Sequence, residues 1–314
     1  MGSDQQLGLA GVQLAYAVGL PDLLEEASGS VGHASRFRVL ERPSLRSNGG
    51  AAPRAGSGVV IRGAWIARSR RSSTFPAVLV AGCRGIRRGP GPGGDGGSME
   101  LLHTAHVPAG DGPFPTVLAL HGFGASAHDL LGLAPLVRDG EVLFLCPQGP
   151  MTIEPAPGQR AYAWFPLSGA GEIEPTALVA ARGMLEGFLE DALERYPIDP
   201  DRLVILGFSQ GGVMAYDLAL GRPERFAALV ALSSWLPDAV LAGLKEDPAR
   251  ASLATLVIHG SNDPMIPIDR AREALARLQG LGIEAAWGEY EMGHEIHPHA
   301  LRDLVGWLSQ GPFA

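Results

Sequence analysis

A serine between closely spaced glycines, Gly207-Phe208-Ser209-Gln210-Gly211, is followed along the chain by Asp263 in His259-Gly260-Ser261-Asn262-Asp263-Pro264 and by His294 in Met292-Gly293-His294-Glu295. A hydroxyl, a carboxylate and an imidazole can together carry out nucleophilic acyl transfer. The imidazole takes the hydroxyl proton, the carboxylate fixes the imidazole tautomer, and the freed oxygen attacks a carbonyl. The pattern G-x-S-x-G places its serine on a strained strand-to-helix turn, and the chain order Ser, Asp, His is the one that accompanies such an elbow. With 43 glycines in 314 residues, the pentapeptide alone is a weak signal. Asp263 before Pro264 also suits an ordinary turn, and His294 competes with His297 and His299 as a surface residue. The three together, in this order, make the case. A fourth segment, His121-Gly122-Phe123-Gly124, has the small residues that let a backbone amide point into a site. The N–H of Phe123 and that of Gln210, the residue after the serine, are the expected oxyanion donors. His121 and His259 are read as structural, holding their loops by hydrogen bonds.

These residues need a scaffold that brings them to one rim. Beyond Met99 the chain alternates. Strand-like apolar runs fall at 100–107, 115–120, 141–146, 202–206, 226–232, 254–258 and 284–290. Helix-like stretches with three- and four-residue apolar spacing fall at 176–196, 210–220, 268–279 and 298–308. Such alternation implies a mostly parallel sheet with helices on both faces. Ligands then meet the carboxyl ends of the strands. Ser209, Asp263, His294 and the 121–124 segment each follow directly on a strand-like run, which puts all four on that rim.

Charge divides the chain at Met99. Residues 1–98 hold 12 Arg, no Lys and 6 acidic residues, net +6, whereas 99–314 is net −14. The first segment is crowded with Gly, Ser, Pro and Arg and has no sustained period, so it is expected to be poorly ordered. Three accounts compete for it: a basic arm for an acidic partner, an irregular extra domain, or upstream sequence translated from a start placed too early. Met99 standing directly before the first strand-like run favours the third. The expected division is therefore 1–98 as an extension and 99–314 as the catalytic domain. The arginines of the arm are scattered, Lys is absent and aromatics are few, which argues against nucleic-acid binding.

Composition excludes other classes. No apolar run reaches the roughly 20 residues of a membrane-spanning helix, and the start of the chain lacks the basic residues of a secretory signal. Two cysteines, Cys83 and Cys146, give no disulfide framework, and a cytoplasmic location is the simplest fit. His and Cys are not spaced for a closed zinc site, and the glycine-rich run 89–97 lacks a phosphate loop's Lys-Ser/Thr ending. Neither metal nor cofactor is expected. Trp235, Leu236 and Trp287 could lie in the core or in an interface, so a homodimer stays open.

On its motifs, the chain from Met99 onward resembles the phospholipase/carboxylesterase family of α/β-hydrolases. The segments that carry the likeness are His121 to Gly124, Gly-Phe-Ser-Gln-Gly-Gly at 207–212, His259 to Pro264 and Gly-His-Glu-Ile at 293–296. The resemblance implies an α/β-hydrolase fold with no large cap domain and an open, shallow acyl pocket. It also implies a serine esterase acting on small-molecule carboxylic esters or thioesters, with lysophospholipase or acyl-protein thioesterase activity as alternatives. A non-catalytic binding protein on the same fold is the rival from another class. The stretch Ala163-Trp164-Phe165-Pro166-Leu167 resembles the family's Trp-Phe element, which implies that Trp164 and Phe165 line the substrate pocket.

Overall fold

Runs of Val, Leu, Ile and Ala with few polar interruptions suit strands that are covered on both faces, and such runs build the sheet. In the computed structural model, residues 101–167 and 173–314 are described, together with three strand segments: β1 (Val60–Ile61), β2 (Ala64–Trp65) and β3 (Leu79–Ala81). The three segments pair antiparallel in succession and reach the sheet through β4 (His103–His106). The rest of 1–98, and with it the expectation about its order, lies outside the described residues.

From β4 onward the strands are β5 (Phe114–Leu120), β6 (Leu143–Pro147), β9 (Ile198–Phe208), β10 (Ala228–Leu232), β11 (Ala254–Gly260) and β12 (Ala286–Tyr290). They lie side by side in the order β4-β6-β5-β9-β10-β11-β12. The β4–β6 pair is antiparallel and every other pair among these seven is parallel. A separate antiparallel hairpin, β7 (Met151–Ile153) with β8 (Ala161–Ala163), stands beside the sheet.

Alternate residues of a strand face opposite sides, and here they feed two cores. Leu118, Leu120, Leu203 and Ile205 pack with α1 (Pro175–Arg195), α2 (Gln210–Gly221) and α4 (Ile268–Gly280). Val117, Ala119, Val204 and Leu206 pack on the other face with α5 (Pro298–Gln310). A short α3 (Asp238–Leu241) follows β10. Trp235 and Leu236 belong to the first core, and Trp287 packs against it partly buried. The chain is thus an α/β protein with a mostly parallel sheet between helical layers, the architecture expected from the alternation of strand-like and helix-like runs.

The expected strands and four long helices are present with shifted ends. β9 begins several residues before the expected strand, running through Asp199, Pro200 and Asp201. Proline is normally confined to strand edges or irregularities. The register between β5 and β9 shifts between Phe114 and Thr116, which accommodates the extra residues.

Candidate active site

Ser209 lies between the end of β9 and the start of α2, at φ 54 and ψ −118, outside the regions that non-glycine residues usually adopt. Close packing on both sides holds it there. A Cβ on Gly207 would stand 2.1 Å from the carbonyl oxygen of Gly211, and one on Gly211 only 2.0 Å from that of Leu120. Neither position has room for a side chain, which is why the elbow needs glycine there. Hydrogen bonds fix the turn as well: the Ser209 N–H donates to the Leu232 carbonyl at 2.9 Å, and the Ser234 hydroxyl donates to the Ser209 carbonyl at 2.8 Å.

The loops after β11 and β12 are stitched together. The N–H of Ser261 donates to the Tyr290 carbonyl at 2.8 Å, and that of Asn262 to the Met292 carbonyl at 3.1 Å. A Cβ on Gly260 would lie 2.3 Å from the Met292 oxygen, so these two backbones touch. This brings Asp263 and His294 together. Asp263 Oδ2 is 2.7 Å from His294 Nδ1, and His294 Nε2 is 3.0 Å from Ser209 Oγ. The ring also packs on Phe208, with centroids 5.0 Å apart. An ionised carboxylate can only accept, so His294 Nδ1 carries the hydrogen and Nε2 offers its lone pair to the serine hydroxyl, while His259 Nε2 stands 3.6 Å from the same Asp263 oxygen.

The carboxylate of Asp263 is well supplied with donors. Its Oδ1 accepts the N–H groups of Met265 and Ile266, each at 2.9 Å. Burial pushes its pKa up, but the hydrogen bonds from His294 and these two amides outweigh burial and hold the carboxyl below its ordinary value. His259 Nε2–H donates to the Ile266 carbonyl at 2.8 Å, bracing the turn that presents those amides. The role expected for His259, holding its loop, agrees with this contact. Burial keeps its ring below the usual histidine range, in the neutral form.

His121 is likewise buried and held neutral by burial. Its Nε2 accepts the Gly149 N–H at 2.9 Å, so its Nδ1–H is the donor to the Gly122 carbonyl at 2.7 Å. It has no line to Ser209 among these bonds and stabilises the loop that carries Phe123. That loop packs on the elbow: a Cβ on Gly122 would stand 3.3 Å from Ser209 Cβ. Gly124 takes φ +82, a left-handed conformation suited to glycine, and its N–H reaches the Tyr162 carbonyl at 2.9 Å. The N–H groups of Phe123 and Gln210 make no hydrogen bond among the described residues, and Gln210 opens a helix whose first amides have no partner within it.

Trp164 and Phe165 lie deeper than walls of an open pocket would. Their exposures are 2% and 0%. Trp164 Nε1–H donates to the His121 carbonyl at 2.8 Å, while the Gln210 side chain accepts the Trp164 N–H at 2.9 Å and donates to the Phe165 carbonyl at 2.7 Å. Sequence reasoning brought these two residues to the site but gave no sign of the bonds they make. It also passed over Ser234, whose signal was available: Ser233-Ser234 directly follows a strand on the same rim as Ser209.

Comparison with known proteins gives the family and the fold. The model of the phospholipase/carboxylesterase family matches residues 103–310. An acyl-protein thioesterase 1 of Gibberella zeae is 27% identical over 220 residues, covering 64% of this chain and 92% of that protein. One from Mycosarcoma maydis is 28% identical over 240 residues, covering 68% and 98%. Among solved structures, esterase PE8 superposes with a TM-score of 0.57 at 27% identity, covering 68% of this chain and 99% of its own. The Bacillus cereus carboxylesterase gives 0.56 at 22% identity, covering 64% and 90%, a likeness of fold.

Proposed function

Since this chain belongs to the phospholipase/carboxylesterase family and is an ester-hydrolysing enzyme, we propose that it cleaves carboxylic esters or thioesters through an acyl-enzyme on Ser209. The observation that carries the reading is the unbroken line of hydrogen bonds from Ser209 Oγ through His294 to Asp263, at 3.0 and 2.7 Å. His294 Nε2 takes the hydroxyl proton as Oγ attacks the acyl carbonyl. Asp263 holds the ring in the required tautomer and stabilises its charge. The N–H groups of Phe123 and Gln210 receive the oxyanion, and the positive end of α2 behind Gln210 favours the same charge. The protonated His294 then releases the alcohol or thiol, and water repeats the sequence on the acyl group.

Two relatives named acyl-protein thioesterase 1 support including thioesters among the substrates. Trp164 and Phe165 bound the substrate pocket from beneath, through the backbone they fix. We place the enzyme in the cytoplasm, acting on small acyl substrates. There Cys146, its thiol pushed up to about 12 by burial, stays unreactive. Among the described residues no helix is long and apolar enough to cross a membrane.

The test is hydrolysis of p-nitrophenyl esters from acetate to palmitate, and of an acyl thioester, by the full chain and by 99–314, each beside Ser209→Ala. The substitution is expected to lower kcat by about six orders of magnitude. Near-normal turnover by Ser209→Ala would refute the assignment. Equal activity in the two forms would place the catalytic domain at 99–314.

A further inference from the structure

The two amides assigned to the oxyanion sit on different elements, one on the loop after β5 and one at the start of α2, and no single turn sets the distance between them. Donors for a developing oxyanion work only when they are already aimed, because reorganising them during the reaction would cost what they supply. A shift of about half an ångström is enough to matter. Something must therefore hold the Phe123 loop against the elbow.

The segment 161–165 spans that gap. At one end Tyr162 bonds the Phe123 loop twice: its carbonyl takes the Gly124 N–H at 2.9 Å, and its N–H donates to the Ala125 carbonyl at 3.0 Å. In the middle the Trp164 indole N–H donates to the His121 carbonyl at 2.8 Å. At the other end the buried Gln210 side chain joins it, taking the Trp164 N–H at 2.9 Å and giving a hydrogen to the Phe165 carbonyl at 2.7 Å. Both polar atoms of the amide are satisfied in one orientation only. The hairpin beneath is pressed close, since a Cβ on Gly149 would fall 2.5 Å from the Ala163 oxygen.

We infer that the Gln210 side chain, with Trp164, is a positioning device that sets the spacing of the Phe123 and Gln210 amides. The inference rests on the oxyanion assignment above. Gln210 then serves twice, its backbone at the reacting oxygen and its side chain through Trp164 and Phe165. The brace contributes little to binding the ester in its ground state and much to holding the tetrahedral intermediate.

The experiment compares Gln210→Met, close in size but unable to make either bond, with Trp164→Phe and the double variant, all in the full chain. Active sites are counted by fluorophosphonate labelling, and the inhibition constant of an alkyl boronic acid is measured as a transition-state mimic. Gln210→Met is expected to lower kcat per labelled site about 100-fold with KM within about threefold, and to weaken the boronate in proportion to the loss in kcat/KM. Trp164→Phe should lose about tenfold, and the double variant no more than Gln210→Met alone, because both break one brace. A Gln210→Met enzyme that keeps kcat within about twofold overturns the inference, as does a loss confined to melting temperature. If Gln210→Met does not fold, Trp164→Phe decides: a fall in kcat at constant KM supports the brace, and unchanged kcat overturns it. Failure of the underlying mechanism reads differently, as activity that survives Ser209→Ala.

Discussion

Asp263 uses its two oxygens for different partners, and that division predicts what a neutral isostere would do. Oδ1 faces the N–H groups of Met265 and Ile266, and Oδ2 faces His294. In Asp263→Asn the carbonyl oxygen keeps the two amides, so the side-chain NH2 turns toward His294 Nδ1. The ring must then accept at Nδ1 and carry its hydrogen on Nε2, where it cannot take the serine proton. The fold should survive while kcat falls by about four orders of magnitude, measured on the same p-nitrophenyl esters. A variant with more than a tenth of parental activity would contradict this account of the tautomer. The placement of Ser209, Asp263 and His294 on one rim was legible because each directly follows a strand-like run. The lateral bonds of Gln210 and Trp164 were not. A buried glutamine amide or indole N–H leaves no period or motif behind, and its partners are backbone groups that any sequence would supply.

At the scale of elements, the elbow joins β9 to α2 at a separation that only glycine permits. The hydrogen in place of a side chain at Gly211 faces the Leu120 carbonyl, so a methyl there forces β5 and α2 apart. Gly211→Ala is expected to destabilise by at least about 3 kcal/mol. The check is the urea midpoint, and a midpoint equal to the parent's would show that the backbones can move apart at little cost. Long elements were readable because their apolar residues repeat over many positions. The hairpin of β7 and β8 was missed for the opposite reason. Each strand is three residues long, joined by a segment containing Pro155, Pro157 and Gly158. The hairpin also bridges the Phe123 loop through Ala125 and Tyr162, a contact distant in sequence that local preference does not reveal. β9 runs beyond the expected 202–206 because its β5 partner and the register shift accommodate Pro200, a residue that local strand preference disfavours.

For the whole molecule, three histidines buried on different elements set an acid limit. Burial lowers the pKa of His106, His121 and His259 below the usual 6.5. Below that value the unfolded chain takes up protons that the folded one refuses, so stability falls as pH drops. Asp263 adds to this in stronger acid. Its contribution is present at neutral pH and is lost as pH falls through a folded value below 3.8. The melting temperature should hold level above about pH 7 and decline from about pH 6.5 downward. A midpoint unchanged between pH 7 and pH 5 would mean that these imidazoles can ionise in place. The order in which the chain delivers its relay has a further consequence. His294, the proposed base, stands 85 residues after Ser209, and Asp263 stands 31 residues before His294. On a ribosome, where domains acquire structure from the N-terminal side, the strained serine and most of its sheet exist before any base is available. On the proposed mechanism a stalled or truncated nascent chain is therefore chemically silent, and the onset of hydrolysis marks the moment at which the last strand has docked.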